Sequence, residues 1–180
     1  MNDGLIPRRY AKALYKLAVE NGDSAEVYEL LKSFSFRYTA IDELKRAMLN
    51  PNVPDEEKGS EMLHILNGKP GSSLDNFLLL CMRNDRSEYL QKISLAYVDL
   101  YREAHNIAHV VISTAVPMPD AEYNAIIDIV KQRLGDMTLE IEQVIDPSLI
   151  GGFTVTIGDL VLDASVKREL NEMRLKLIKK

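Results

Sequence analysis

Apolar residues between Ile6 and about His105 recur mostly at helical spacing, as in Tyr10, Leu14, Leu17 and Ala18, then Val27, Leu30, Leu31, Phe34 and Tyr38. The pattern predicts about six helices. Asn21-Gly22-Asp23-Ser24 ends the first and offers Ser24 as an N-cap for the second, while Asn50-Pro51-Asn52-Val53-Pro54 separates the third from the fourth. Gly68-Lys69-Pro70-Gly71-Ser72-Ser73 precedes a fifth helix near Leu74 to Asn84. A sixth, from about Ser87 to His105, carries Leu90, Ile93, Tyr97, Leu100 and Tyr101 on one side. Such a set packs as a small bundle.

After residue 106 the period changes. The β-branched run His109 to Thr114 reads as a strand, so a second domain is expected over 106–180 after a helical one over 1–105. Pro117-Met118-Pro119 leads into a helix with Tyr123, Ile126, Ile127, Val130 and Leu134 on one face and Gly135 at its C-terminal cap. Leu139 to Glu142 alternates as a half-buried strand. Gly152 to Ile157 and Leu160 to Leu162 flank Gly158-Asp159, a two-residue hairpin turn in which Gly158 supplies the positive φ of a type II′ turn. Asp163 is expected to cap the last helix, whose stripe Val166, Leu170, Met173 and Leu177 is expected to cover its own sheet. The fold class is α+β, a six-helix bundle followed by a β-α-β-β-β-α domain.

Composition changes this picture little, but charge narrows the function. A net charge of -5 and a pI near 5.3 argue against phosphate-backbone binding as the main task, because that binding needs many Lys and Arg. The single cysteine, Cys81, lies in the apolar run Phe77 to Met82, where a buried, inert thiol is expected, in keeping with a reducing compartment. No stretch approaches the roughly 20 apolar residues that cross a bilayer, and Pro7-Arg8-Arg9 stands where a signal peptide needs its apolar centre. A soluble, cytoplasmic protein is expected.

The candidate chemistry is sparse. His105 and His109 have a His-x-x-x-His spacing, but His109 opens a strand and no third ligand is placed nearby, so no metal site is assigned. Gly68-Lys69 resembles the tail of a phosphate loop, yet Pro70 stands where Ser or Thr belongs and Leu63 where the upstream glycine belongs. Gly151-Gly152 lacks the dinucleotide-binding spacing and precedes a strand. Cys81 has no histidine partner in the sequence pattern, and no nucleophile elbow occurs. No catalytic residue and no cofactor are assigned.

Two segments carry a resemblance. Arg8-Arg9-Tyr10-Ala11-Lys12-Ala13-Leu14-Tyr15 near the start, and Asp146-Pro147-Ser148-Leu149-Ile150-Gly151-Gly152-Phe153 with Gly158, Asp159, Asp163 and Ser165 near the end, resemble the delta subunit of F-type ATP synthases, the family of the oligomycin-sensitivity-conferring protein. Asn84-Asp85-Arg86 sits where the family usually has Asn, then Gly or Lys, then Arg. Asp85 departs from that pattern, and Ser35 and Arg37 interrupt the apolar face of the second helix.

The resemblance implies a non-catalytic stator connector, one copy per proton-translocating complex, peripheral on the cytoplasmic face of the cell membrane. Its helical domain would hold the amphipathic N-terminal helix of an alpha subunit, and its C-terminal domain the distal end of subunit b. Carried over from the family, the alpha-subunit groove between the first and fifth helices falls on Tyr10, Ala13, Leu14 and Leu17 facing Phe77, Leu80, Cys81 and Asn84. Periodicity alone leaves open whether these residues are groove or bundle core. The alternative is an RNA-binding helical bundle of the transcription antitermination type, with Arg8, Arg9, Lys12 and Lys16 as its basic patch.

Overall fold

The computed structural model describes residues 4–38 and 53–178, with the side chains of 35–38 and 177 left out of the description. The third expected helix falls outside the described residues. The chain divides into two compact units, Met1–Ala104 and His105–Lys180.

In the first unit the described helices are α1 (Leu5–Asn21), α2 (Ser24–Tyr38), α3 (Asp55–Ile65), α4 (Ser73–Arg83) and α5 (Leu90–Ala104), the last preceded by a 3-10 turn at Ser87–Tyr89. The helix expected as the fifth is therefore α4. Gly22 ends α1 because it takes φ 75° without a Cβ penalty, and the Asp23 amide then donates to the Ala18 carbonyl at 3.0 Å. Asp85 plays the same part after α4, with φ 54° and the Arg86 amide donating to the Cys81 carbonyl at 2.8 Å. That left-handed position accounts for the glycine otherwise favoured there.

Helix α5 packs against both α1 and α2. Its Tyr97 is fully buried and donates its hydroxyl to the Ser24 carbonyl at 3.1 Å. Tyr15 meets the Tyr97 ring edge-on at 5.9 Å, and Tyr28 stacks on Tyr101 at 4.3 Å. Polar contacts join α4 to the turn after α1: the Ser73 amide and hydroxyl both donate to the Asp23 carboxylate, at 3.0 and 2.8 Å, so Asp23 supplements from across the bundle the N-cap that Ser72 gives α4. Helix α3 packs on α4, where a Cβ added at Gly59 would meet Leu79 at 3.0 Å.

The second unit contains β1 (Ile107–Thr114), α6 (Asp120–Leu134), β2 (Thr138–Ile145), a 3-10 turn at Pro147–Leu149, β3 (Gly152–Ile157), β4 (Leu160–Ser165) and α7 (Val166–Ile178). The sheet order is β2-β1-β3-β4, with β1 and β2 parallel across the α6 crossover and the remaining pairs antiparallel. Alternation along β1 buries Ala108, Val110, Ile112 and Thr114. Val110, Ile112 and Val155 form the core with Ile126 and Val130 of α6. The opposite face carries polar residues, among them His109 hydrogen-bonded to Glu142 at 3.1 Å.

Two expectations need correction. Ser165, not Asp163, caps the last helix: its hydroxyl accepts from the Arg168 amide at 3.2 Å, three residues on, whereas Asp163 lies in β4 and accepts from the Ser165 amide at 2.9 Å. The strand runs straight into the helix, so the cap falls on the strand's last residue. The stripe of α7 does not cover the sheet either. Val166, Leu170 and Met173 remain 37, 50 and 58% exposed, and it is α6 that packs on the core of the sheet.

Candidate partner-binding surfaces

The eight residues assigned to the helical groove separate into two groups. Leu14, Phe77 and Cys81 are buried in the bundle, at 1, 5 and 0% exposure. Tyr10 and Leu17 are half-buried, and Ala13, Leu80 and Asn84 are exposed. Tyr10 touches Phe77 edge-to-face with ring centroids 6.2 Å apart, bringing α1 and α4 together at this seam. The α4 run that reads as apolar all round is thus mostly interior: Phe77, Leu78, Cys81 and Met82 are buried, Leu79 lies against Gly59, and Leu80 alone of the run stands 48% exposed. Burial pushes the Cys81 thiol up to about 12, which removes the thiolate that nucleophilic or redox chemistry requires.

A concavity of the helical unit, about 540 Å³, lies between α1 and α5. Pro7, Leu95 and Leu100 line it beside Arg8, Lys12, Asp99 and Glu103. Its mixed charge dilutes the basic patch of the first helix.

In the C-terminal unit the family-signature residues form joints of the backbone. The Asp146 carboxylate accepts from the Ser148 amide at 2.9 Å, Pro147 begins the 3-10 turn, and Leu149 is buried behind it. The Gly151 carbonyl accepts from the Val166 amide at 3.0 Å, tying this loop to the start of α7. Gly152 has φ 72°, and a Cβ there would stand 2.2 Å from the Ala164 carbonyl oxygen, so only glycine fits. Gly158, with φ 55°, and Asp159 form the two-residue turn that pairs Ile157 with Leu160. The Asp146 and Asp163 carboxyls are both held below their ordinary value, each chiefly by its hydrogen bond from the residue two positions on. These carboxylates fix the backbone at the two joints.

Two apolar surfaces stay open on this unit. One is a groove of about 370 Å³ between α6 and the β3–β4 hairpin, lined by Ile129, Arg133, Phe153, Ile157, Leu160 and Leu162. Leu162 pairs with Val155 and shares its face, yet it remains 56% exposed. The other is the stripe of α7. Sequence periodicity located the α7 stripe and the hairpin strands but not Ile129 or Arg133, and it gave no sign that either surface is left open. Among the described residues no group of three or more His, Cys, Asp or Glu could hold a metal ion, and no helix is long and apolar enough to cross a membrane.

Comparison with known proteins gives these surfaces their context. The sequence model of the family described as "ATP synthase delta (OSCP) subunit" matches residues 6–177. The ATP synthase subunit delta of Phocaeicola vulgatus is 35% identical over 98% of this chain and 96% of its own length. That of Bacteroides fragilis is 34% identical over 100% and 97%, and that of Fusobacterium nucleatum 32% over 94% and 96%. Among solved structures, a chain of the Toxoplasma gondii mitochondrial ATP synthase hexamer shares the fold, with a TM-score of 0.72 at 21% identity over 96% of this chain and 97% of that one. An interior built from apolar side chains, signature residues spent on backbone joints and a match that runs from residue 6 to residue 177 lead to one assignment: the chain belongs to the ATP synthase delta (OSCP) subunit family, a family of non-catalytic subunits.

Proposed function

We propose that this protein is the non-catalytic stator connector of an F-type, proton-translocating ATP synthase, joining the catalytic head to the peripheral stalk and resisting rotor torque. The observation that carries the reading is the family match over residues 6–177. The role needs stiffness and sticky surfaces rather than a reacting group, and two compact units with open apolar seams suit it. One copy serves each complex, peripheral on the cytoplasmic face of the membrane. The match favours this reading over the RNA-binding one, which the net charge of -5 also disfavours.

In this reading the helical unit takes the amphipathic N-terminal helix of an alpha subunit along the α1–α4 seam. Tyr10, Ala13, Leu17, Leu80 and Asn84 form the rim that the guest touches, over a floor of Leu14, Phe77 and Cys81. The C-terminal unit takes the distal end of subunit b. A guest helix of about 20 residues is about 30 Å long, enough to run the length of such a bundle.

Calorimetric titration of the full chain with a synthetic peptide of the first ~20 residues of the cognate alpha subunit tests the seam. Leu80→Asp should weaken binding at least roughly tenfold, since burying a Leu side chain is worth about 1.5 to 3 kcal/mol. Its melting temperature should stay within a few degrees, as for other surface changes. A stable Leu80→Asp protein that binds normally moves the site elsewhere, and a wild type that never binds the peptide removes the alpha-subunit role.

A further inference from the structure

We infer that the apolar stripe of α7 is a seam for a single amphipathic helix whose residues beside its own apolar stripe are acidic. The inference builds on the proposed role of the C-terminal unit as holder of a stalk helix, and names the surface and the chemistry of the guest.

The spacing comes first. Val166, Leu170 and Met173, continued in sequence by Leu177, follow a four-three-four rhythm, the seam of a coiled coil and narrower than the apolar side of a helix lying on a sheet. The three described members are 37, 50 and 58% exposed, and among the described residues α7 packs chiefly against β4 and the 3-10 turn at Pro147–Leu149. The seam is therefore both formed and vacant within the unit.

Charge then selects the guest. Residues 105–165 carry nine acidic and two basic side chains, whereas 166–180 carry six basic and two acidic ones. In heptad terms Lys167 and Arg174 occupy the two positions along one edge of the seam, and Glu169 and Lys176 those along the other. Arg168 and Glu172 pair with each other at 3.6 Å away from the seam. One edge is wholly basic and the other mixed, so a partner helix gains most by presenting Glu or Asp there. A lipid surface suits the helix less, because the seam is narrow, lacks Trp and Phe, and has Glu169 at its edge.

The test uses the full chain and isothermal titration with two designed peptides of about three heptads, Leu at the seam positions and either Glu or Lys at the flanking ones. The Glu peptide should bind at least roughly tenfold more tightly than the Lys peptide. Leu170→Asp with Met173→Asp should abolish that binding, and Lys167→Glu with Arg174→Glu should reverse the preference while leaving the apolar seam intact. Equal binding of both peptides, or unchanged binding by both variants, overturns the inference. So does a dimer of the wild type that Met173→Asp disperses, which makes a second copy the occupant, or seam-dependent binding to vesicles of phosphatidylglycerol. A C-terminal segment of the cognate subunit b serves as the third probe. If it binds wild type and the Asp variant alike, the stalk role stands and the seam is wrong; if it fails on wild type while the Glu peptide binds, the seam stands and the stalk role is wrong.

Discussion

Helices α5 and α7 have the same kind of sequence and opposite fates. Each carries an apolar stripe at helical spacing. In α5 that stripe is buried at Leu90, Ile93, Tyr97 and Tyr101; in α7 it is exposed at Val166, Leu170 and Met173. The difference lies in what surrounds them. Helices α1 and α2 both close on α5, supplying Leu14, Ala18, Val27, Tyr28 and Leu31 as its cover. In the C-terminal unit α6 packs on the apolar face of the sheet over Val110, Ile112 and Val155, Leu160 and Leu162 of the hairpin stay open, and the other face carries His109, Glu142, Thr154 and Thr156. A stripe shows that a helix has a side that avoids water, and the neighbours decide whether that side is spent on the fold or left for a partner.

The comparison can be broken most directly by truncation in both helices. Tyr97→Ala should cost about 3 to 5 kcal/mol, through the cavity it leaves and the donor it takes from the Ser24 carbonyl, whereas Leu170→Ala should stay within about 0.5 kcal/mol. Urea unfolding of the full chain measures both; comparable losses would mean that α7 is covered after all. Next in size is Gly152→Ala, which combines a left-handed backbone with a clash and should cost well over 1 kcal/mol. Gly158→Ala, with open space around its Cβ position, should cost less, so an equal loss by calorimetry would remove the steric part of the argument.

A smaller effect sharpens the contrast from the polar side. Hydrogen bonds to the charged forms hold Asp146 and Asp163 below the ordinary 3.8, so their contribution is complete above that value and is lost as pH falls through the lowered folded pKa values. Thermal melts between about pH 5 and 2 should show less acid sensitivity in an Asp146→Asn, Asp163→Asn variant than in wild type, and parallel curves would deny these hydrogen bonds any part in stability. Because both carboxylates face solvent, the difference should be modest. Smallest of all is Asp85→Gly, which relieves a left-handed non-glycine residue and should raise the urea midpoint slightly, by less than about 1 kcal/mol of stability.

Much of the fold was legible because its signals are local. The glycine after α1, the Gly158-Asp159 hairpin and the change from helical to strand period each depend on residues within a few positions of one another. Assignment of the last helix's cap to Asp163 failed for a local reason too: with no loop between β4 and α7, the last strand residue, Ser165, is itself the N-cap. The Asp23–Ser73 capping contact was not legible, since it joins residues fifty positions apart through a packing that no spacing rule encodes. The eight residues expected to line a groove lie on two helices, and exposure divides them, Leu14, Phe77 and Cys81 lying inside and Leu80 outside.

The sequence by itself determined where the helical period gives way to strands, roughly where the described elements lie, which side of each avoids water, and which family it resembles. Those properties follow from backbone dihedral preferences and from side-chain periodicity, both of which act over a few residues. Only the tertiary structure decided which apolar sides are satisfied within the chain. Burial is a property of neighbours brought together from distant parts of the sequence: α6 covers the core of the sheet, and the seam of α7 stays open.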